Sequence, residues 1–310
     1  MLVCLLIVFT FSGCSFKKSY HSAYQTEDKT ATVKEKIKQD IEVGTIFKDI
    51  VYKTVDDLEL KLDLYTPLKV LHNTSPVVMY VHGGNWFSGD KSLPHNLEPV
   101  INQVRESGYT VISIEYRLVN DEIKYPVPVM DTKDALRWVY KNSDKYNLDT
   151  DNIGILGVSS GAHLAMLSAY SKSTDFIGSK ELSSYPSDVK YVVDFFGPTK
   201  FDADTQQYSK SSVEHLMGPF AKDTEKLKEA SPINYINSAS PPTLIVHGAK
   251  DTVVPIQQSQ DLYSKASSLG SKVDMILVDN GEHNLSGASA MDILKTLKSV
   301  FDFISTNTAK

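Results

Sequence analysis

The fold is decided by Ile153-Gly154-Ile155-Leu156-Gly157-Val158-Ser159-Ser160-Gly161-Ala162-His163-Leu164. A short apolar run ends in Gly-x-Ser-x-Gly and passes straight into a helical pattern, so a strand turns at once into a helix. That geometry crowds the backbone around Ser159, and Gly157 and Gly161 are therefore steric requirements. The helix adds its N-terminal amides and the positive end of its dipole, which face Ser159 and any anion formed beside it. Composition alone yields about 0.1 matches to such a pattern in a chain of this length. The motif takes its meaning from its surroundings.

Toward the N-terminus, Pro76 to Val81 is a continuous apolar run, as expected of a strand buried on both faces, and it ends in His82-Gly83-Gly84-Asn85-Trp86. Before it, Ile46 to Val55 and Leu58 to Tyr65 read as a strand pair with Asp56-Asp57 at the turn. Between the two motifs lie a helix over Pro94 to Ser107 closed by Gly108, a buried strand over Tyr109 to Tyr116, and a helix over Asp131 to Lys141. Toward the C-terminus, strands are expected at Tyr191 to Phe196, Thr243 to Val246 and Val273 to Val278, with an amphipathic helix over Met291 to Phe303. The longer Phe201 to Ile236 segment, with a helix near Thr224 to Ala230, is a candidate wall or cap. Strands alternating with helices predict an α/β fold, an open and mostly parallel sheet with helices on both faces.

The chain has 310 residues, a net charge of -6 and 41% hydrophobic content. These values suit one large α/β domain over 41–310 with a substantial core. Mild acidity without a basic stripe excludes electrostatic nucleic-acid binding. Met1 to Phe11 is almost continuously apolar yet too short to span a bilayer, and it reads as a signal segment. Phe11-Ser12-Gly13-Cys14-Ser15 follows and resembles a bacterial lipobox, with Phe11 where Leu is preferred. That resemblance implies a signal peptide over 1–14, a lipid on Cys14, and a lipid-anchored protein on the outer side of a bacterial membrane. An ordinary cleaved signal is the alternative. Residues 15–40 are polar and lack an apolar period, as a tether would. Cys4 lies in the signal segment, so a mature chain has no disulfide.

Two late strands deliver partners for Ser159. Asp251 follows Leu244-Ile245-Val246-His247-Gly248, and His283 follows the next strand in Gly281-Glu282-His283. Serine, acid and histidine then occur in the order Ser159, Asp251, His283, each at the same edge of the sheet. A serine hydroxyl is a weak nucleophile that needs a base, and the base needs a carboxylate to fix its tautomer. Asp279 and Glu282 are rival acids, nearer to His283 in sequence.

On these residues, and on Gly89-Asp90-Lys91, Tyr116-Arg117-Leu118, Tyr125-Pro126 and Asp194-Phe195-Phe196-Gly197-Pro198, the chain resembles the α/β-hydrolase superfamily over roughly residues 45 to 305. It is similar to the small esterases with an HGGxW loop: the hormone-sensitive-lipase-like group, the bifunctional feruloyl and acetyl-xylan esterases, and the kynurenine formamidases. The resemblance implies oxyanion donors at the amides of Gly84, Asn85 and Ser160, with Gly83 close by. Asn85 stands where the lipase-like group has a third glycine. Trp86 is a candidate for lining the acyl pocket, with core packing as the alternative.

His82 reads as an anchor of the glycine loop, His163 as packed within the helix after the turn, and His247 as structural; Arg117 and Asp131 read as a structural pair. No metal-ligand spacing remains once the cysteines are removed, so no metal and no cofactor are expected. The expected chemistry is cleavage of carboxylic esters through an acyl-enzyme by a serine carboxylesterase acting on short-chain acyl or acetyl esters, small or carbohydrate-linked. The alternatives are an arylformamidase using the same residues, a peptidase, whose usual propeller or larger cap domain is missing, and a hydrolase-fold binding protein without activity. Oligomeric state is left open.

Overall fold

A computed structural model describes residues 42–202 and 210–308. From Val43 on they belong to the compact unit Val43–Lys310. The signal segment, Cys14 and the polar tether lie outside the described residues, as does 203–209 of the cap candidate.

Eight strands form one sheet: β1 (Ile46–Val55), β2 (Leu58–Tyr65), β3 (Ser75–Val81), β4 (Thr110–Ile114), β5 (Leu148–Val158), β6 (Tyr191–Phe195), β7 (Thr243–Gly248) and β8 (Val273–Val278). Their order across the sheet is β1-β2-β4-β3-β5-β6-β7-β8. The β1–β2 and β2–β4 pairs are antiparallel and all the others parallel. Asp56 and Asp57 both adopt positive φ, 46° and 66°, the geometry a two-residue hairpin turn requires. Every residue of β3 is buried, as its apolar run predicts for a central parallel strand.

Register aligns the strand ends. Val81 pairs with Gly157, Val158 with Phe195, Phe195 with Val246, and Gly248 with Val278. The residues that follow these ends, namely the His82 loop, Ser159, Phe196, Asp251 and the His283 loop, are thereby gathered along one edge. Open α/β sheets bind ligands at that edge.

The helices are α1 (Glu98–Glu106), α2 (Val127–Lys141), the single-turn α3 (Ser143–Tyr146), α4 (Ser160–Tyr170), α5 (Lys210–Met217), α6 (Thr224–Glu229), α7 (Gln257–Ser268) and α8 (Ala290–Asn307). Val100 and Val104 of α1 and Val300 and Ile304 of α8 pack with Val78, Tyr80, Val111, Leu156 and Val193 in one core. Strand alternation turns Val77, Met79, Ile112 and Ile155 to the opposite face, where all four are wholly buried; α2 and α4 pack together on that side.

The structure extends the sequence reading in three places. β5 starts at Leu148 because the polar Leu148–Asp151 stretch already pairs alongside β3, with Ser75 opposite Leu148. α2 starts at Val127, and Pro128 is tolerated in its first turn. α7 carries no apolar period and was not foreseen; it rests on the sheet through Leu262 and Ala266.

Candidate active site

Ser159 sits between β5 and α4 at φ 56° and ψ -122°, a conformation that costs about 1–3 kcal/mol unless the surroundings impose it. They do. Its amide donates to the Phe195 carbonyl at 2.8 Å. A Cβ on Gly157 would stand 2.4 Å from the Gly161 carbonyl oxygen, and one on Gly161 only 2.2 Å from Val81 O and 2.3 Å from His82 O. The two glycines of the motif therefore let the first turn of α4 rest on the backbone leaving β3.

His283 Nε2 is 3.2 Å from Ser159 Oγ, and His283 Nδ1 is 2.8 Å from Asp251 Oδ2. The amides of Val253 and Val254 donate to Asp251 Oδ1 at 2.8 and 2.9 Å. Burial pushes the Asp251 pKa up, but the hydrogen bonds from His247, His283 and the Val254 amide outweigh it and hold the carboxyl well below the usual carboxylate range. Of the rival acids, Glu282 instead accepts from Ser286 Oγ, and Asp251 is the carboxylate on the imidazole. His247 is wholly buried behind it: Nε2 donates to Val254 O at 2.8 Å and lies 3.3 Å from Asp251 Oδ2, while Nδ1 meets Ser259 Oγ at 2.7 Å.

The loop after β3 curls against the same serine. A Cβ on Gly83 would lie 2.9 Å from Val158 O and 3.3 Å from Ser159 Cβ, so the glycine lets the loop backbone approach the nucleophile. Gly84, Asn85 and Trp86 follow with φ of 114°, 51° and 67°. Phe87 and Ser88 donate their amides to Gly84 O at 3.2 and 3.0 Å, closing the turn. Ser160 opens α4, which places its amide among the N–H groups that lack an intrahelical acceptor. His82 stacks on Tyr116 at 4.3 Å, donates from Nδ1 to Gly83 O at 2.7 Å, and has its pKa lowered chiefly by burial. It is an anchor of the loop.

Trp86 corrects the sequence reading: it does not line a substrate pocket. Its side chain is wholly buried, its Nε1 donates to His163 Nδ1 at 3.2 Å, and its ring meets Phe201 edge-on at 6.0 Å. The aromatic beside the site is Phe196, whose ring lies 4.7 Å from that of His283. Phe196 also lines a cleft of about 550 Å³ together with Val158, Leu285, Ile293 and Leu297. Phe196 belongs to a strand end called only for its position, and its neighbours in the cleft come from α8 and the His283 loop, so no local signal marks them. Phe87, on the other side of the glycine loop, packs edge-on against His215 of α5 at 4.9 Å. Among the described residues, no group of three or more His, Cys, Asp or Glu side chains is gathered as a metal site.

The family model described as BD-FAE matches residues 62–266. The chain belongs to the BD-FAE family. The matched span holds the glycine loop, Ser159 and Asp251; His283 lies beyond it and reaches the site through β8. This BD-FAE chain is 25% identical over 215 residues to Esterase LipC of Mycobacterium tuberculosis, covering 68% of this chain and 53% of that one. To Esterase LipQ of the same organism it is 28% identical over 236 residues, covering 74% and 55%. The chain thus spans about half the length of these curated relatives. A solved truncated carbohydrate esterase from gut microbiota superimposes with a TM-score of 0.72 at 28% identity, covering 86% of this chain and 98% of that one. The BD-FAE fold is the α/β-hydrolase fold, and at its edge Ser159, His283 and Asp251 make one continuous run of hydrogen-bond contacts.

Proposed function

We propose that this protein is a serine carboxylesterase. The observation that carries the reading is the unbroken contact from Ser159 Oγ through His283 to Asp251, at 3.2 and 2.8 Å, beside a glycine loop pressed against the serine. His283 takes the hydroxyl proton as Ser159 attacks the ester carbonyl, and anionic Asp251 stabilises the imidazolium that results. The oxyanion develops toward the amides of Gly84, Asn85 and Ser160, each worth roughly a hundred- to a thousandfold in rate if aligned. The intermediate collapses, and the alcohol leaves with the proton from His283. Water then repeats the sequence on the acyl-enzyme.

The leaving oxygen must lie next to His283 Nε2, so the alcohol moiety extends on the histidine side of Ser159. The cleft bordered by Phe196, Leu285, Ile293 and Leu297 is on that side, and its apolar walls favour esters of aryl or alkyl alcohols. LipC and LipQ are named esterases, and the gut enzyme a carbohydrate esterase. The test is a panel of p-nitrophenyl acetate, longer acyl esters, acetylated xylan and N-formylkynurenine, with fluorophosphonate labelling mapped to Ser159. Turnover of aryl acetates above the rest supports the reading. Preference for the formamide moves the assignment to an arylformamidase, preference for xylan to a carbohydrate esterase, and a silent panel with an unlabelled Ser159 to a binding protein.

We also propose export and lipid attachment at Cys14, supported by the apolar segment, the lipobox-like run and the polar stretch after it. Among the described residues, no helix is long and apolar enough to cross a membrane. Palmitate incorporation and membrane partitioning, both lost in Cys14→Ala with activity on soluble esters retained, are the expected results. Unmodified protein recovered wholly from the soluble secreted fraction would leave a plain signal peptide.

A further inference from the structure

His163 is wholly buried in the first turns of α4, and both of its ring nitrogens are engaged by other parts of the chain. Trp86 Nε1 approaches Nδ1 at 3.2 Å, and Nε2 is 2.7 Å from the carbonyl oxygen of Ala230, the residue that ends α6. An indole N–H only donates, and a carbonyl only accepts. Nδ1 must therefore be the acceptor and Nε2 the protonated nitrogen, so one neutral tautomer satisfies both partners. A proton on Nδ1 would oppose the indole N–H. Burial, partly offset by the Ala230 hydrogen bond, lowers the His163 pKa to about 4, which keeps the ring neutral across ordinary assay conditions.

What this ring holds is the far end of the glycine loop. Gly84, Asn85 and Trp86 are three consecutive residues at positive φ, and for Asn85 and Trp86 that conformation persists only when tertiary contacts impose it. Trp86 is the loop residue with a side chain packed in the interior, its ring meeting His163 edge-on at 5.3 Å and Phe201 at 6.0 Å. The opposite end of the loop is held separately, by His82, which stacks on Tyr116 and donates from Nδ1 to Gly83 O at 2.7 Å.

We infer that His163 is a positioning residue for the oxyanion loop, tying Trp86 to the nucleophile helix and to the base of the α5–α6 segment so that the Gly84 and Asn85 amides stay aimed at the position of the oxyanion. The inference rests on the esterase reading and on those amides being its donors. A loop amide that drifts loses its bond to the transition state more than its contact with the ground-state ester, so the effect belongs in kcat.

The test compares His163→Phe, His163→Gln and Trp86→Phe in the full-length protein, with melting temperature recorded for each. His163→Phe keeps the bulk and removes both hydrogen bonds, whereas glutamine offers an amide oxygen to Trp86 and an N–H to Ala230. The expected results are a fall in kcat of about a hundredfold for His163→Phe, KM within about twofold, and recovery to within about tenfold of wild type in His163→Gln. Affinity for an aryl trifluoromethyl ketone, which forms the tetrahedral adduct on Ser159, should fall in step with kcat/KM. Trp86→Phe should reproduce the loss, and the double variant should lose no more than either single one. Should His163→Phe not fold, Trp86→Phe against His163→Gln carries the same comparison. Wild-type kcat in folded Trp86→Phe or His163→Phe, glutamine no better than phenylalanine, or unchanged adduct affinity would overturn the inference. Failure of the esterase reading is separate, since wild-type protein would then turn over no ester and Ser159 would resist the fluorophosphonate.

Discussion

Two buried clusters of charge lie on this fold, and they end differently. In the cluster on α2, both oxygens of Asp131 and both of Asp134 are occupied. Asp131 takes Lys53 Nζ at 2.6 Å and Arg117 through Nε, Nη2 and the backbone amide; Asp134 takes Lys53 at 2.7 Å, Arg137 at 2.8 Å and the Ser179 amide. In the relay at the sheet edge, Asp251 is occupied just as fully, by two amides and two histidines. The relay, however, runs on through His283 to a serine hydroxyl held at a looser 3.2 Å beside the cleft. A network closed on itself fixes β1, the Arg117 loop and α2 together. One left open at Ser159 has a proton to give.

The sharpest way to break that contrast is Ser159→Ala. Turnover should drop by about 10⁶-fold, with the melting temperature within about 2 °C of wild type, because only the terminal hydroxyl and its loose 3.2 Å contact are removed. Retained turnover would mean that the open end lies elsewhere. Next, Asp251→Asn should lower kcat by about 10⁴-fold, since an amide cannot hold the imidazolium or the correct tautomer. Asp279→Asn and Glu282→Gln should each cost less than about tenfold, and the reverse ranking in steady-state kinetics would move the acid to the His283 loop. Asp131→Ala strikes the closed network and should do the opposite. It removes the carboxylate of Arg117 and leaves Lys53 with Asp134 alone, and should cost about 3–5 kcal/mol in urea unfolding, while kcat per folded molecule stays within about twofold.

The smallest expected effect is on the acid limb of stability. His163 has a folded pKa of about 4 against roughly 6.5 when unfolded. The unfolded chain therefore binds more protons between those values, and the contribution of His163 is complete above about pH 6.5 and is lost as pH falls toward 4, by up to about 3 kcal/mol. Asp194, whose burial raises its pKa to about 7, titrates with the opposite sign over an overlapping window. The measurement is hence the difference between wild type and His163→Gln in urea midpoint from pH 7 to 4.5. A constant difference would contradict a buried neutral ring.

What was legible in the sequence follows the range of the physics involved. Gly157, Ser159 and Gly161 were readable because a strand-to-helix turn makes its steric demand within five residues. Asp251 and His283 were readable because each follows a short apolar run that a parallel sheet must align. Trp86 was misplaced because its partner, His163, is 77 residues away, and no local pattern says which way an aromatic turns after a loop at positive φ. The Arg117–Asp131 pair was readable, but the Lys53 and Asp134 contacts that join β1 to the same helix run through side chains that look like ordinary surface charges in the sequence. α7 escaped notice because two buried apolar positions, Leu262 and Ala266, in a polar stretch do not make a period.

The cleft walls divide the labour of the chain in a way that bears on how its substrate range can change. Asn284, Leu285, Ser286, Ile293 and Leu297 all come after His283, whereas the nucleophile turn and the glycine loop leave neighbouring central strands, β5 and β3, and touch backbone to backbone at Gly161. Under the proposed function, alterations in this C-terminal half of the wall reshape which alcohol fits, while the other half, with Val158 and Phe196, stays beside the peptide planes of the reaction. Selectivity is in this sense a replaceable part of the molecule, mounted on chemistry that has almost no room to vary.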